Sequence, residues 1–186
     1  MAGQTAERQE TGFVQAVSKA FKINKAPITV VAGKTKVVGV TGAKKFTGRQ
    51  SSGSEPYTDV VLSSIKGDLN LSLKGESAPS LAGGGLRGLE IIVPGITRKF
   101  MHAALKELLR RKVNPGDKVP DVYGKIDNST KLKIVIGTKA MGGPIDFMYI
   151  GKMDVQSNYD KNTNTLTFRN GALIPSEGYA KSHELY

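Results

Sequence analysis

Apolar and polar residues change rhythm several times along the chain, and each change predicts an element. Between residues 7 and 22, Val14, Val17 and Phe21 fall at helical spacing with Phe13 beside them, which predicts an amphipathic helix. Glu7 and Glu10 continue that stripe towards the N-terminus. Residues 28–31 (Ile-Thr-Val-Val) and 35–40 (Thr-Lys-Val-Val-Gly-Val) read as short strands around Gly33. The clearest pattern lies between Tyr57 and Gly75. Asp59 opens the run Val60-Val61-Leu62, Lys66-Gly67-Asp68 supplies a turn, and Leu69, Leu71 and Leu73 then alternate with Asn70, Ser72 and Lys74. Strict alternation predicts a half-buried strand, and the two runs are close enough to pair as a hairpin. Side chains two apart share a face, so Asn70, Ser72 and Lys74 stand together on the face that the leucines leave.

Residues 96–112 predict a second helix. Phe100, Met101, Ala104, Leu105, Leu108 and Leu109 form an apolar stripe that core packing would explain. Arg98, Lys99, His102, Lys106, Arg110 and Arg111 lie mainly on the opposite face, and Pro94-Gly95 and Asn114-Pro115-Gly116 bound the element. The last third reads as β-rich. Lys131 to Gly137, ending in Ile134-Val135-Ile136, predicts a central strand, and Phe147 to Val155 and Thr163 to Phe168 predict two more, with Arg169-Asn170-Gly171 as a turn. Met141-Gly142-Gly143-Pro144 reads as a turn where chain approaches chain closely. Two stretches read as loops: Thr41 to Gly53, basic through Lys44, Lys45 and Arg49, and Ser77 to Gly88 around Gly83-Gly84-Gly85. Neither Walker spacing nor G-x-G-x-x-G occurs in that glycine run. The expected fold is α/β (α+β): one domain over residues 1–186, a central mixed sheet flanked by helices, extended basic loops, and flexible or docking arms at 1–6 and 176–186.

Composition narrows the chemistry. The chain has 186 residues and no cysteine, so disulfides, thiol catalysis and Cys-based zinc sites are excluded. His102 and His183 stand far apart, which disfavours a histidine-rich metal centre. The first ten residues are polar and include acids, unlike a secretory signal, and no run approaches bilayer length, so a cytoplasmic protein without a membrane partner is expected. Net charge is +11, from 27 basic and 16 acidic residues. Residues 1–50 hold nine of the basic and two of the acidic residues, a local excess of +7. Such an excess favours polyanions, and it also suits solubility or an acidic protein neighbour. Few aromatics are present and none interleaves the basic clusters, which argues against base-stacking recognition of single strands.

Cleaving a phosphodiester near neutral pH calls for a hard cation, usually Mg²⁺, held by carboxylates, with a lysine to steady developing charge. Asp59 and Lys74 at the two ends of the hairpin supply one carboxylate and the lysine. Glu10 (or Glu7) on the first helix adds an acid. An acid in a first helical turn also favours the helix dipole, and both readings stand. The order helix with Glu, then Asp, then hairpin, then x-x-Lys resembles the PD-(D/E)XK superfamily of restriction-endonuclease-like nucleases. The resemblance spans about residues 5–80. It implies a restriction-endonuclease-like scaffold, a Mg²⁺ cofactor and an endonuclease or exonuclease activity, with Asp59, Lys74 and Glu10 as catalytic residues and Asp59, Glu10 and Ser72 around the metal. The family places an acid two residues before the lysine. Here that position is Ser72, so Asp68 or Glu76 must substitute, or else the scaffold serves to grip nucleic acid or to build a structure. Two rival pairings, Asp121 after Pro120 and Asp146 after Pro144, lack an acid-x-Lys on an alternating strand. Residues 137–146 also resemble uncharacterised proteins of tailed bacteriophages, which implies a bacterial host cell or a virion as the setting. Two function classes follow. One is a nucleic-acid-binding, Mg²⁺-dependent nuclease whose polyanion contacts are Lys44, Lys45, Arg49, Arg98, Lys99, Arg110 and Arg111. The other is a non-catalytic virion structural or assembly protein that contacts DNA, copies of itself or neighbouring subunits.

Overall fold

A computed structural model describes residues 2–47, 57–76, 85–118 and 125–181. The first helix, α1 (Ala2–Asn24), starts earlier than the periodicity predicts. Two strands follow, β1 (Ile28–Ala32) and β2 (Thr35–Lys45), and then the hairpin of β3 (Val60–Ser64) and β4 (Gly67–Gly75). Helices α2 (Gly85–Ile92), α3 (Ile96–Arg110) and α4 (Asn128–Ile136) separate these from β5 (Phe147–Gly151), β6 (Ser157–Asp160), β7 (Thr165–Phe168), β8 (Gly171–Pro175) and α5 (Ser176–Lys181). All eight strands join one mixed sheet in the order β6-β7-β1-β2-β3-β4-β5-β8. The pairs β1–β7 and β4–β5 are parallel and the rest antiparallel. This is the expected α/β architecture of a central mixed sheet flanked by helices. Among the described residues no helix is long and apolar enough to cross a membrane.

Two cores lie on the two faces of the sheet. On one, Phe13, Val17 and Ala20 of α1 pack with Val30, Val40, Leu62, Leu71, Tyr149 and Phe168. Phe13 stacks on Phe168 at 4.5 Å between centroids and meets Tyr149 edge-on at 5.0 Å. The sheet curls around this helix. Three strands stand between β2 and β8 in the sheet order, yet Thr35 Oγ1 donates to Leu173 O at 2.6 Å. Gly33, in the β1–β2 turn with φ 63°, lies so near β8 that an added Cβ would sit 2.8 Å from Ala172 Cβ. On the other face, Leu89 of α2, Ile96 of α3, Ile134 and Val135 of α4 and Tyr179 of α5 pack with Tyr57 and Met148.

Several elements differ from the sequence expectation. Thr41 to Lys45 is no loop: β2 runs on to Lys45 because β3 supplies its ladder (Ala43↔Leu62, Lys45↔Val60) and Ala43 packs inward. Residues 131–137 form a helix, not a central strand. Asp127 caps α4 by accepting from Thr130 N at 2.9 Å, and Lys131, Ile134 and Val135 bury one helical face. Strands β6 and β8 carried too weak an alternation to be seen. Residues 176–181 are the helix α5, whose Tyr179 and Ala180 are buried. Arg49, Asp121, Gly83, His183 and residues 182–186 lie outside the described residues. The close approach expected at residues 141–144 is present: a Cβ on Gly143 would sit 2.6 Å from Ile136 O.

The stripe on α3 does not pack as expected. Ile96 is buried and Phe100 leans on the second core, but Met101, Leu105 and Leu109 are 65%, 59% and 69% exposed. The helix rests on α2 at its start, and its outer side meets solvent. Two guanidiniums, Arg110 and Arg111, hold Glu107 and push its carboxyl down to about 2.

Candidate functional site

Alternation places the hairpin side chains. Leu69, Leu71 and Leu73 pack under α1, so Asn70, Ser72 and Lys74 face the other way. The parallel register sets Ser72 beside Met148 and Lys74 beside Ile150, both part of the second core. Asp59 sits where β3 begins. Its N–H still donates to Leu71 O at 2.9 Å, and its carbonyl accepts from Phe46 N at 2.9 Å. Beyond that point its carboxylate takes over the ladder: Oδ2 accepts from Leu73 N at 2.6 Å and from Ser72 Oγ at 3.2 Å. Asp59, Ser72 and Lys74 therefore gather at one end of the β3–β4 pair, as the alternation implies.

Glu10 approaches this end from α1. It is half-buried, and its Oε2 lies 3.8 Å from Lys45 Nζ, which is also 3.7 Å from Glu7 Oε1. Because α1 begins at Ala2, Glu7 and Glu10 fall beyond its first turn, and helix-dipole stabilisation does not explain them. Glu10 instead acts on Asp59. Burial pushes the Asp59 carboxyl up from 3.8 to about 6, and the negative charge of Glu10 adds to the rise. The Leu73 amide, the Ser72 hydroxyl and Lys74 oppose it. Burial likewise lowers the Lys74 ammonium, with the Asp59 charge opposing. Burial thus pushes both the carboxylate and the amine towards their neutral forms, and a cation would relieve the carboxylate.

Gln9, next to Glu10, is the residue that sequence reasoning missed. It is 2% exposed, and its Nε2 donates to Lys74 O at 3.2 Å and to Gly151 O at 3.1 Å. It thus ties α1 to the ends of β4 and β5 at the Lys74 backbone. A polar residue at a buried helical position was the available signal. Gln9→Leu is expected to lose about 1–3 kcal/mol of stability, because two carbonyls lose their donor; urea unfolding measures it.

The other acids lie elsewhere or have other partners. Asp68 pairs with Ser63 at the turn end of the hairpin, the opposite end from Lys74, so it cannot swing in to replace the missing acid. Glu76 is exposed just beyond β4. Asp146 accepts from Asn70 N at 2.7 Å and so joins β4 to the entry of β5. Among the described residues no three His, Asp or Glu side chains gather as a metal-ligand set. The site offers the carboxylates of Glu10 and Asp59, with the Ser72 hydroxyl as a weaker oxygen donor. Mg²⁺ is commonly held by one or two carboxylates with water and substrate phosphate, and two acids fit that pattern.

The basic residues divide into two groups. Lys44 is exposed at the end of β2, and Lys45 beside it faces the acids of α1. On α3, Arg98 and Lys99 are exposed, whereas Arg110 and Arg111 are engaged with Glu107. No protein-family model, curated protein or solved structure matches this chain.

Proposed function

We propose that the chain is a nucleic-acid-binding protein on a restriction-endonuclease-like scaffold and that it cleaves phosphodiesters with Mg²⁺. The supporting observation is the junction at the end of the β3–β4 hairpin, where burial, with the Glu10 charge adding to it, raises Asp59 to about 6 against the opposing charge of Lys74. The chain order agrees with the resemblance: a helix bearing Glu10, then Asp59, then a hairpin ending in Lys74, within a mixed sheet between helices. Glu10 and Asp59 would hold the cation, which supplies Lewis acidity towards phosphate and lowers the pKa of a water when bound. Ser72 orients the Asp59 carboxylate through its hydroxyl. Lys74 would be the donor that meets charge developing on a phosphate oxygen. Lys44 and Lys99 would supply positive surface for a polyanion, and the resemblance carried by residues 137–146 suits a bacterial host cell infected by a phage as the setting.

Incubation with end-labelled single- and double-stranded DNA and RNA tests the proposal. Cleavage is expected with Mg²⁺ or Mn²⁺, falling about 10²–10³-fold in Lys74→Met, the scale of losing one charge-stabilising donor. Absence of cleavage on every substrate with either metal would sink the catalytic reading. A second reading, a virion structural or assembly protein without catalysis, is favoured by the exposed Met101, Leu105 and Leu109 of α3, which suit a contact with a neighbouring subunit.

A further inference from the structure

The outer side of α3 carries two parallel rows. Met101, Leu105 and Leu109 repeat every four residues, and so do Arg98, His102 and Lys106. Residues three apart are neighbours on a helix, so Arg98 adjoins Met101, His102 adjoins Leu105, and Lys106 adjoins Leu109. The aliphatic row is 59–69% exposed, and Arg98, His102 and Lys106 are exposed beside it. Among the described residues, neither Arg98 nor Lys106 makes an ion pair. A contiguous row of exposed aliphatic side chains with a charged border suits a contact site.

We propose that this side of α3 docks an acidic amphipathic helix of a partner protein, whose own aliphatic row lies on Leu105 and whose carboxylates meet Arg98 and Lys106. The charge pattern selects this occupant. A phosphate backbone would satisfy the cations and leave three aliphatic side chains in water. A second copy packed through the same helix brings no spare acid to the contact, because Glu107 is the only acid of α3 and Arg110 and Arg111 already hold it. Set antiparallel across a two-fold axis, a second copy would also place the cationic row against itself. An acidic helix satisfies both rows at once, in the helix-in-groove manner. The proposal rests on α3 alone and does not depend on catalysis at Asp59.

The test uses the full chain and two labelled synthetic peptides. One is an amphipathic helix with leucines every third or fourth residue and glutamates on its flanks; the other has every glutamate replaced by lysine. Fluorescence anisotropy is expected to show binding of the acidic peptide that weakens with salt. The affinity should fall at least about tenfold in Leu105→Gln and in the double variant Arg98→Glu with Lys106→Glu, as for a central contact residue. Leu105 is mostly in water, so Leu105→Gln should keep the circular dichroism and the melting temperature of the parent. Equal binding of the two peptides, or binding unaffected by Leu105→Gln, would overturn the proposal. So would self-association in sedimentation that Leu105→Gln abolishes, which would give the ridge to a second copy. Uptake by phosphatidylserine vesicles through Leu105, without peptide binding, would give it to a lipid surface and overturn the proposal too.

Discussion

At pH 8, Asp59→Asn is expected to be more stable than the parent protein while losing the metal-dependent cleavage proposed for the site. Asp59 titrates at about 6 in the folded protein against an ordinary 3.8, so the folded state holds this proton the more tightly. The stability that the proton contributes is fully present below pH 3.8 and is lost as pH rises through about 6. Two pKa units correspond to about 3 kcal/mol, an upper bound on what the ionised carboxylate costs at pH 8. Asparagine keeps an oxygen for Leu73 N–H and Ser72 Oγ and carries no charge. Lys74 loses its counter-charge in the exchange, so the net gain is nearer about 1–2 kcal/mol. Urea unfolding at pH 8 and at pH 4 reads both halves: a gain at pH 8, and convergence of the two proteins at pH 4. A loss at pH 8 would instead make the Asp59 charge a structural cap of the hairpin end. A neutral amide is a weak Mg²⁺ ligand, so under the proposed function the stabilising change is also the inactivating one, a trade-off expected where a site is built against stability.

Phe13→Ala is expected to cost about 3–5 kcal/mol, the range for deleting a buried aromatic ring. Phe13 has no exposed surface, and its ring fills the curl of the sheet between Phe168 and Tyr149. The loss reaches the site as well. Glu10 lies one helical turn before Phe13, and Gln9 fixes the same turn to β4 and β5. A loosened α1 therefore shifts Glu10 relative to Asp59. Chemical denaturation measures the stability. A cost below about 1 kcal/mol would mean that α1 is not seated in the sheet as described.

The hairpin was legible because two local signals agreed, strict alternation from Leu69 to Lys74 and a polar turn before it. Its parity also put Ser72 and Lys74 on one face, and Asp59 followed from its place at the start of the apolar run. The path of α1 over the sheet was not legible, because no local pattern states which helix turn lies over which strand end. Gln9 was missed for that reason, and Lys45 was read as a polyanion contact rather than as the partner of Glu7 and Glu10. Residues 131–137 misled because Ile134-Val135-Ile136 suits a buried strand by composition, and the deciding feature was a cap at Asp127, outside the run. On α3 the apolar stripe was correctly placed on a helix, but amphipathicity predicts that a face is to be covered and does not say by what. The same holds for β2, whose last residues are basic by composition and strand by pairing with β3.

The most direct test is titration of Mn²⁺, a spectroscopically visible substitute for Mg²⁺, followed by electron paramagnetic resonance. The parent protein is expected to bind Mn²⁺ at a site that Asp59→Asn and Glu10→Gln each abolish and that Lys74→Met retains, since the lysine is a donor to phosphate and not a ligand. The absence of any such site in the parent, or binding unchanged in both acid variants, would contradict a metal centre built from Glu10 and Asp59.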